Sequence, residues 1–324
     1  MTFNKRTNYI SIILLLLTIG CNKINKQDTI SQELKSEALE KLHFSLINSL
    51  EWGKVHAAEA LINLNYKEDA YRIFIEEERK KRKQEFYRIG IWRVLAQASI
   101  KQEEKQQWID SILNVYKNPN NPDVTHAAET LGKLSFSPLN FSPKLIDSIL
   151  NDKHNSLWIC TLWATAYSSE KEKVKNKLVN IIQQKEEPVD VRRIAAYALR
   201  FLKNSGTKNR EKMINTLNKE PDSSKVYPYL LSAILVNTPK DSLMTNRSLF
   251  FKTKLEDIAK TNGHIGQYEA LSALAEIGNA TNIKLLSSLL KETDTSNIKN
   301  KTDISVGTSY AILRIEARLK LDGI

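Results

Sequence analysis

The sequence contains few of the residues that cross-link or interrupt a chain. Among its 324 residues are two cysteines, ten glycines and eight prolines. Cys21 follows an N-terminal apolar segment and Cys160 stands alone in a second apolar run, so no intramolecular disulfide is expected to support the fold. We expect Cys160 to be a buried structural thiol, because free cysteine packs as a small apolar residue.

Runs of alternating β-branched residues are also missing, which argues against a β-sheet. The prolines and glycines instead separate segments with helical apolar periodicity, for example at Pro138, Pro188 and Gly206. These residues punctuate helices, and we therefore predict an all-α chain.

Motifs for common active sites are absent as well. The sequence has no nucleophile elbow, glycine-rich phosphate loop, zinc-ligand spacing or calcium loop. We therefore expect no catalytic residue, no metal and no cofactor, and predict that the protein is not an enzyme.

The N-terminus, MTFNKRTNYISIILLLLTIGC, has the features of an export signal. Two basic residues, Lys5 and Arg6, precede an apolar run at residues 10–19 that is too short to span a membrane. The end of the run, LTIGC, resembles the lipobox of bacterial lipoproteins, although its leucine stands one place earlier than usual. The resemblance implies cleavage before Cys21 and acylation of Cys21, which would anchor the protein to a membrane. An ordinary secretory signal with an incidental Cys21 is the alternative.

We therefore predict a signal peptide at residues 1–20, a polar tether at 21–28 and a folded region at 29–324. The tether has no acidic cluster resembling a surface-export signal, which favours the periplasmic side of the cell envelope over the cell surface. Removal of Lys5 and Arg6 lowers the formal net charge from +11 to +9. An exported protein is not expected to bind nucleic acid, whereas an acidic glycan, an anionic lipid surface or an acidic protein fits its charge.

A phrase near the start of the folded region recurs later in the chain. VHAAEALINL begins at Val55, and THAAETLGKL begins at Thr125. Alignment of similar segments gives eight equivalent positions with a period near 35 residues: Ala60, Val94, Thr130, Leu162, Ala198, Ala233, Ala273 and Ala311. A period of this length, made of two helices, is typical of an α-solenoid.

Two segments carry a more specific resemblance. EEPVDVRRIAAYALRFL, at residues 186–202, is similar to the HEAT repeat in the form named for phycobilisome lyases, and residues 267–291 match it again. The matching positions of the first segment are Pro188, Val191, Arg192, Ala195, Ala196, Ala198 and Leu199. The resemblance implies a right-handed α-solenoid of about seven to eight HEAT-like helix pairs. Helices at 29–50 and 305–321 are expected to cap its two ends, and the whole array is expected to be a curved rod about 70 Å long.

Two His-Glu pairs are candidate site residues. His56 and Glu59 are three residues apart, as are His126 and Glu129, so each pair can face one direction on a helix. One hypothesis is a ligand, metal or acid-base site. The alternative, a packed and hydrogen-bonded histidine, is favoured because the two pairs would stand about 20 Å apart in an open array. These four residues are therefore predicted only as possible binding residues.

Tryptophans are a second candidate group, because aromatic rings can stack on sugars. Trp158 and Trp163 lie in a nearly all-apolar helix and are predicted to be core. Trp52 and Trp108 are the candidates for partial exposure, and together with Trp92 they are predicted as possible binding residues, with packing in the core as the alternative.

The resemblance implies a membrane-anchored scaffold that binds another envelope protein. The partner would lie along a concave ridge of inner helices that begin near Val55, Thr125, Val191 and Gln267. One alternative is a carbohydrate or peptidoglycan-fragment binder. A second is an enzyme of lyase-like type, which requires the His-Glu residues to be exposed in a cleft.

Overall fold

The computed structural model describes residues 30–295 and 301–321. The predicted signal peptide, the tether and Cys21 lie outside these residues. Within them the chain forms sixteen α-helices, a short 3₁₀ turn at Lys240–Ser242 and no β-strand, which confirms the all-α prediction. None of the described helices is both long and apolar enough to cross a membrane. The helices are α1 (Gln32–Asn48), α2 (Glu51–Asn63), α3 (Lys67–Lys81), α4 (Tyr87–Ala98), α5 (Gln102–Tyr116), α6 (Val124–Lys133), α7 (Pro143–Leu150), α8 (Ser156–Thr165), α9 (Lys171–Gln183), α10 (Val189–Leu202), α11 (Gly206–Leu217), α12 (Tyr227–Val236), α13 (Asn246–Lys260), α14 (Gln267–Ile277), α15 (Ala280–Thr295) and α16 (Lys301–Leu321).

Local chemistry sets several helix starts. The side chain of Ser31 accepts a hydrogen bond from the backbone N–H of Leu34, and the side chain of Asn155 accepts one from the N–H of Trp158. Each bond satisfies a donor that the first helical turn leaves without a partner. Pro143 stands in the first turn of α7, where its missing N–H costs nothing.

The helices alternate between an inner and an outer layer. All eight residues that define the sequence period are buried, and each lies in an even-numbered helix, from Ala60 in α2 to Ala311 in α16. Each even-numbered helix packs on the next even-numbered one, while the odd-numbered helices lie outside them. The predicted organisation in helix pairs with a period near 35 residues is therefore confirmed.

The inner layer closes on itself. Helix α16 packs on α14 and also on α1 and α2, at the other end of the chain. Nδ1 of His56 lies 2.9 Å from a carboxylate oxygen of Asp303, and Nζ of Lys35 lies 3.6 Å from Glu316. The prediction of an open rod is wrong: the eight inner helices form a ring. A small rotation at each pair accumulates to a full turn, and closure buries the two terminal faces that an open array exposes.

The segments predicted to cap opposite ends therefore have a different position. Residues 29–50 contribute α1, residues 305–321 form most of α16, and these two helices pack against each other. Neither covers a free end of the array.

The core lies between the inner and outer layers. Trp158 and Trp163 are 1% and 0% exposed, so the prediction that both are core residues is confirmed. Cys160 is also buried, as predicted. Gly132 in α6 allows Trp163 of α8 to approach closely, because a Cβ atom at this position would lie 2.7 Å from the indole ring.

Candidate functional site

The ring surrounds an axial cavity with two chambers. The N-terminal chamber, of about 370 Å³, is lined by residues from the first half of several inner helices, such as Thr125, Ser156 and Arg193. The C-terminal chamber, of about 390 Å³, is lined by residues near the ends of inner helices, such as Gln97 and Arg314. The inner helices therefore run in the same direction, and their N-termini surround one mouth of the cavity.

Five residues line both chambers and form what we call the waist: His56, Lys133, Tyr197, Arg200 and Tyr268. They come from α2, α6, α10 and α14, so helices that are distant in the ring meet here. A ligand in either chamber would therefore lie against these residues.

The cavity-facing positions follow the sequence period. In α2, α6, α10 and α14, the cavity is lined by the residues four before, one before and three after the aligned residue. In α2 these positions hold His56, Glu59 and Asn63, all of which line the cavity. This spacing is one face of an α-helix, and it explains why the cavity is polar although each helix is buried on its other sides.

His56 is held at the waist by two neighbours. Its Nδ1 atom lies 2.9 Å from Oδ1 of Asp303, and its ring stacks on Tyr268 at 4.8 Å between centroids. Because a carboxylate can only accept, Nδ1 carries the proton in the neutral ring and Nε2 does not. No hydrogen bond joins Nε2 to any residue that the structure describes.

His126 lies at the N-terminal mouth of the cavity. Its ring stacks on Trp52 at 5.6 Å and meets the edge of Phe86 at 5.5 Å. The side chain remains 37% exposed, and Nδ1 is 4.0 Å from Glu129. Burial in this aromatic setting lowers the pKa of His126, so the neutral ring is favoured at neutral pH.

The two His-Glu pairs face the same cavity. An open array would have separated them by about 20 Å, but the ring places His56, His126 and Glu129 around one chamber. Each histidine packs against aromatic rings, and each also lines the cavity and retains accessible surface.

Glu59 is a structural partner of Arg93. The guanidinium of Arg93, which is 1% exposed, donates to both oxygens of Glu59 at 2.7 and 3.3 Å and to Oγ1 of Thr130 at 3.2 Å. Burial alone would raise the pKa of Glu59, but the charge of Arg93 lowers it. The network ties α2, α4 and α6 together at the wall of the cavity.

Glu129 pairs with a lysine of the waist. Nζ of Lys133 lies 3.0 Å from Oε1 of Glu129 and 5.5 Å from the ring centroid of Tyr197. Against the opposing effect of burial, the charges of Lys133 and Arg93 lower the pKa of Glu129 to about 2. An ammonium has three donors, and the carboxylate occupies only part of them.

Arg200 forms ion pairs with two carboxylates of α14. Its guanidinium lies 2.7 Å from Glu269 and 3.0 Å from Glu276. Burial raises the pKa of Glu269 to about 7 although Arg200 opposes the shift. When Glu269 is protonated, Glu276 still serves as the counter-ion of Arg200.

The three candidate tryptophans differ in position. Trp52 lies beside the N-terminal mouth, between His126 and the guanidinium of Arg93, which is 5.5 Å from its ring. Trp92 and Trp108 are half-buried and pack against the hydrophobic core. Neither lines the two chambers.

Most of the waist was not predicted from the sequence. Lys133, Tyr197, Arg200 and Tyr268 occupy cavity-facing positions, but only ring closure brings their four helices to one axis. The sequence did contain one indication of the cavity, because polar residues recur at the same three positions of the repeat. An open array gives such positions a solvated face, so this pattern by itself does not indicate a site.

Across the described ranges, 30–295 and 301–321, no group of three or more histidine, cysteine and acidic side chains is arranged to hold a metal ion. The chemistry that the cavity offers consists of cations, tyrosine hydroxyls, aromatic faces and an imidazole nitrogen.

No family model matches the sequence, and neither curated proteins nor solved structures include a significant match.

Proposed function

We propose that the protein binds a small acidic carbohydrate fragment in the axial cavity. The observation that carries the proposal is the lining of the N-terminal chamber, where Lys133 and Arg193 lie beside Tyr197, Tyr229 and Tyr268. Cations recognise a carboxylate, tyrosine hydroxyls exchange hydrogen bonds with sugar hydroxyls, and aromatic faces contact the C–H faces of a sugar ring.

The size of the cavity supports a small ligand. Chambers of about 370 and 390 Å³ lie in the range of small-molecule sites, which fits a fragment of a few sugar units. The inner helices, which were expected to present a concave ridge to a protein partner, enclose this cavity instead. A protein partner would have to bind the outer surface, and that role stays a prediction.

The electrostatics of the N-terminal mouth favour an anion. The inner helices direct their N-termini, with their positive partial charges, toward this mouth. Arg193 adds a full charge at the same level, and its guanidinium lies 5.2 Å from the ring centroid of Tyr229. Its carboxylate partner, Asp190 at 3.3 Å, is 63% exposed and therefore pairs only weakly with it.

The proposed location of the protein is the cell envelope. An acylated Cys21 and a periplasmic location would place the cavity where acidic glycans and peptidoglycan fragments occur, and the helix pairs would be divergent HEAT-like units. These features rest on the sequence motifs described above.

A titration with defined fragments tests the proposal. Isothermal titration calorimetry of the Cys21→Ala protein with oligouronates, a muramic-acid disaccharide and neutral oligosaccharides of equal length should show binding of an acidic fragment only. Arg193→Gln should weaken that binding about 10- to 100-fold, since a charged hydrogen bond contributes about 1.5–3 kcal/mol. The control is Arg72→Gln on outer helix α3, where Arg72 is 77% exposed.

Equal binding of neutral and acidic fragments, or no binding by any of them, would contradict the proposal. If Arg193→Gln and Arg72→Gln lost the same amount of binding affinity, the ligand would bind outside the cavity.

A further inference from the structure

The axial cavity contains a base-and-acid pair that binding alone does not need. His56 has one ring nitrogen fixed by Asp303 at 2.9 Å and the other without a partner among the described residues. The ring is 22% exposed and lines both chambers, so a bound ligand can reach it. An imidazole oriented by a carboxylate in this way is arranged to accept a proton at Nε2.

Tyr268 supplies a proton donor next to this base. Its ring stacks on His56 at 4.8 Å with an angle of 23° between the planes, and it lines both chambers as well. Burial raises the pKa of Tyr268, so its hydroxyl stays protonated at neutral pH. Among the residues that the structure describes, none hydrogen-bonds to that hydroxyl.

The other groups of the cavity argue against hydrolysis by paired carboxylates. A glycoside hydrolase of the usual kind needs two carboxyl groups, one of them free to act as nucleophile or base. In this cavity Glu269 has a raised pKa, but each of the other carboxylates is held by a cation and is not free to act as nucleophile or base: Glu59 by Arg93, Glu129 by Lys133 and Glu276 by Arg200. Cys160 lines the N-terminal chamber but is only 2% exposed, and burial raises its pKa well above the usual range.

We propose that the cavity is catalytic and cleaves an acidic oligosaccharide by β-elimination, with His56 as the base and Tyr268 as the proton donor. The inference rests on the proposed function, since it requires a uronate bound at the waist. Lys133 or Arg193 would hold the uronate carboxylate and reduce its negative charge, which makes the neighbouring C–H proton more acidic.

The step balances without any co-reactant. The proton on the carbon that bears the carboxylate moves to Nε2 of His56, and the electron pair of that C–H bond forms a C=C double bond with the next ring carbon. The bond from this second carbon to the glycosidic oxygen breaks, and the oxygen takes the proton of the Tyr268 hydroxyl. His56 then returns a proton to Tyr268 through water, so nothing is oxidised, reduced or hydrolysed.

The mass and absorbance of the products test the chemistry. The Cys21→Ala protein is incubated with each oligouronate that it binds, and the products are followed by ultraviolet absorbance of the conjugated double bond and by mass spectrometry. Elimination gives two fragments whose masses sum to that of the substrate, whereas hydrolysis adds one water.

Matched variants test the residues. His56→Asn and Tyr268→Phe should lower the rate of product formation at saturating substrate about 10²- to 10⁴-fold, beyond any loss of affinity that calorimetry shows for the same variants. Asp303→Asn should lower the rate and shift its pH profile, because Asp303 positions the base and stabilises its protonated form. The control is His43→Asn, since His43 also pairs with a carboxylate, Asp69 at 3.2 Å, but lies on outer helix α1.

The outcomes separate the two proposals. Binding without any product overturns the catalytic inference and leaves the binding function standing, whereas absence of binding overturns both. Products that contain an added water, or an unchanged rate in His56→Asn, contradict elimination by His56.

Discussion

At the scale of the residue, enclosure in the ring changes the chemistry of single side chains. Glu269 is 4% exposed on α14, and burial raises its pKa to about 7 although Arg200 lies 2.7 Å away. Two further carboxylates of the cavity wall, Glu59 and Glu129, have lowered pKa values because cations meet them directly. The same cavity therefore holds carboxyl groups in both protonation states near neutral pH.

The raised pKa of Glu269 predicts a pH dependence of stability. Between its ordinary value of 4.5 and about 7, the folded protein keeps a proton that the unfolded chain has lost. Protonated Glu269 therefore stabilises the folded protein fully below pH 4.5. This stabilisation, on the order of 3 kcal/mol, is lost as the pH rises through 7. We expect the difference in free energy of unfolding between the wild type and Glu269→Gln to change by about that amount across this pH interval. Urea denaturation at several pH values measures it. A constant difference between the two proteins would contradict the assignment.

At the scale of the element, the helices of the inner layer approach each other through small residues. Gly132 in α6 faces the indole ring of Trp163 in α8, and a Cβ atom there would lie 2.7 Å from the ring. Because Trp163 is 0% exposed, the ring cannot move aside into solvent. This contact determines how closely α6 and α8 pack.

Gly132→Ala should therefore destabilise the protein by about 1–3 kcal/mol, although alanine is the better helix former. A double-mutant cycle with Trp163→Phe measures the contact itself, since the smaller ring relieves the clash. We expect the cost of Gly132→Ala to be smaller in the Trp163→Phe background, as read from urea denaturation. Equal costs in both backgrounds would show that the overlap is relieved elsewhere.

The helix pairs could be predicted from the sequence, whereas the site could not. Buried small or aliphatic residues at a period near 35, such as Ala60 and Ala198, reflect packing between neighbouring helices, and neighbours are close in sequence. The cavity depends on contacts between helices that are far apart in sequence, and no local pattern encodes them. Ile194 illustrates this: it is apolar, yet it lines the N-terminal chamber at the position equivalent to His56.

At the scale of the whole molecule, closure of the ring creates the site. The contacts of α16 with α1 and α2 bring His56 to Asp303 and complete the wall of the cavity. An open array of the same helix pairs would leave His56 without its carboxylate and would spread the waist residues along a groove. The proposed binding and the proposed elimination both depend on this closure.

An engineered disulfide between the two ends of the chain measures closure most directly. A Cβ atom at Gly53 would lie 3.7 Å from Cβ of Thr302, which is the separation that a disulfide requires. In a Cys21→Ala background, Gly53→Cys with Thr302→Cys should form an intramolecular disulfide under mild oxidation, seen as a faster band on non-reducing electrophoresis. Gly53→Cys with Asp222→Cys, where Asp222 is exposed near α12, is the control and should remain reduced. Rapid formation of the first disulfide without the second is the result that the ring predicts, and failure of the first pair to oxidise would show that the array is open.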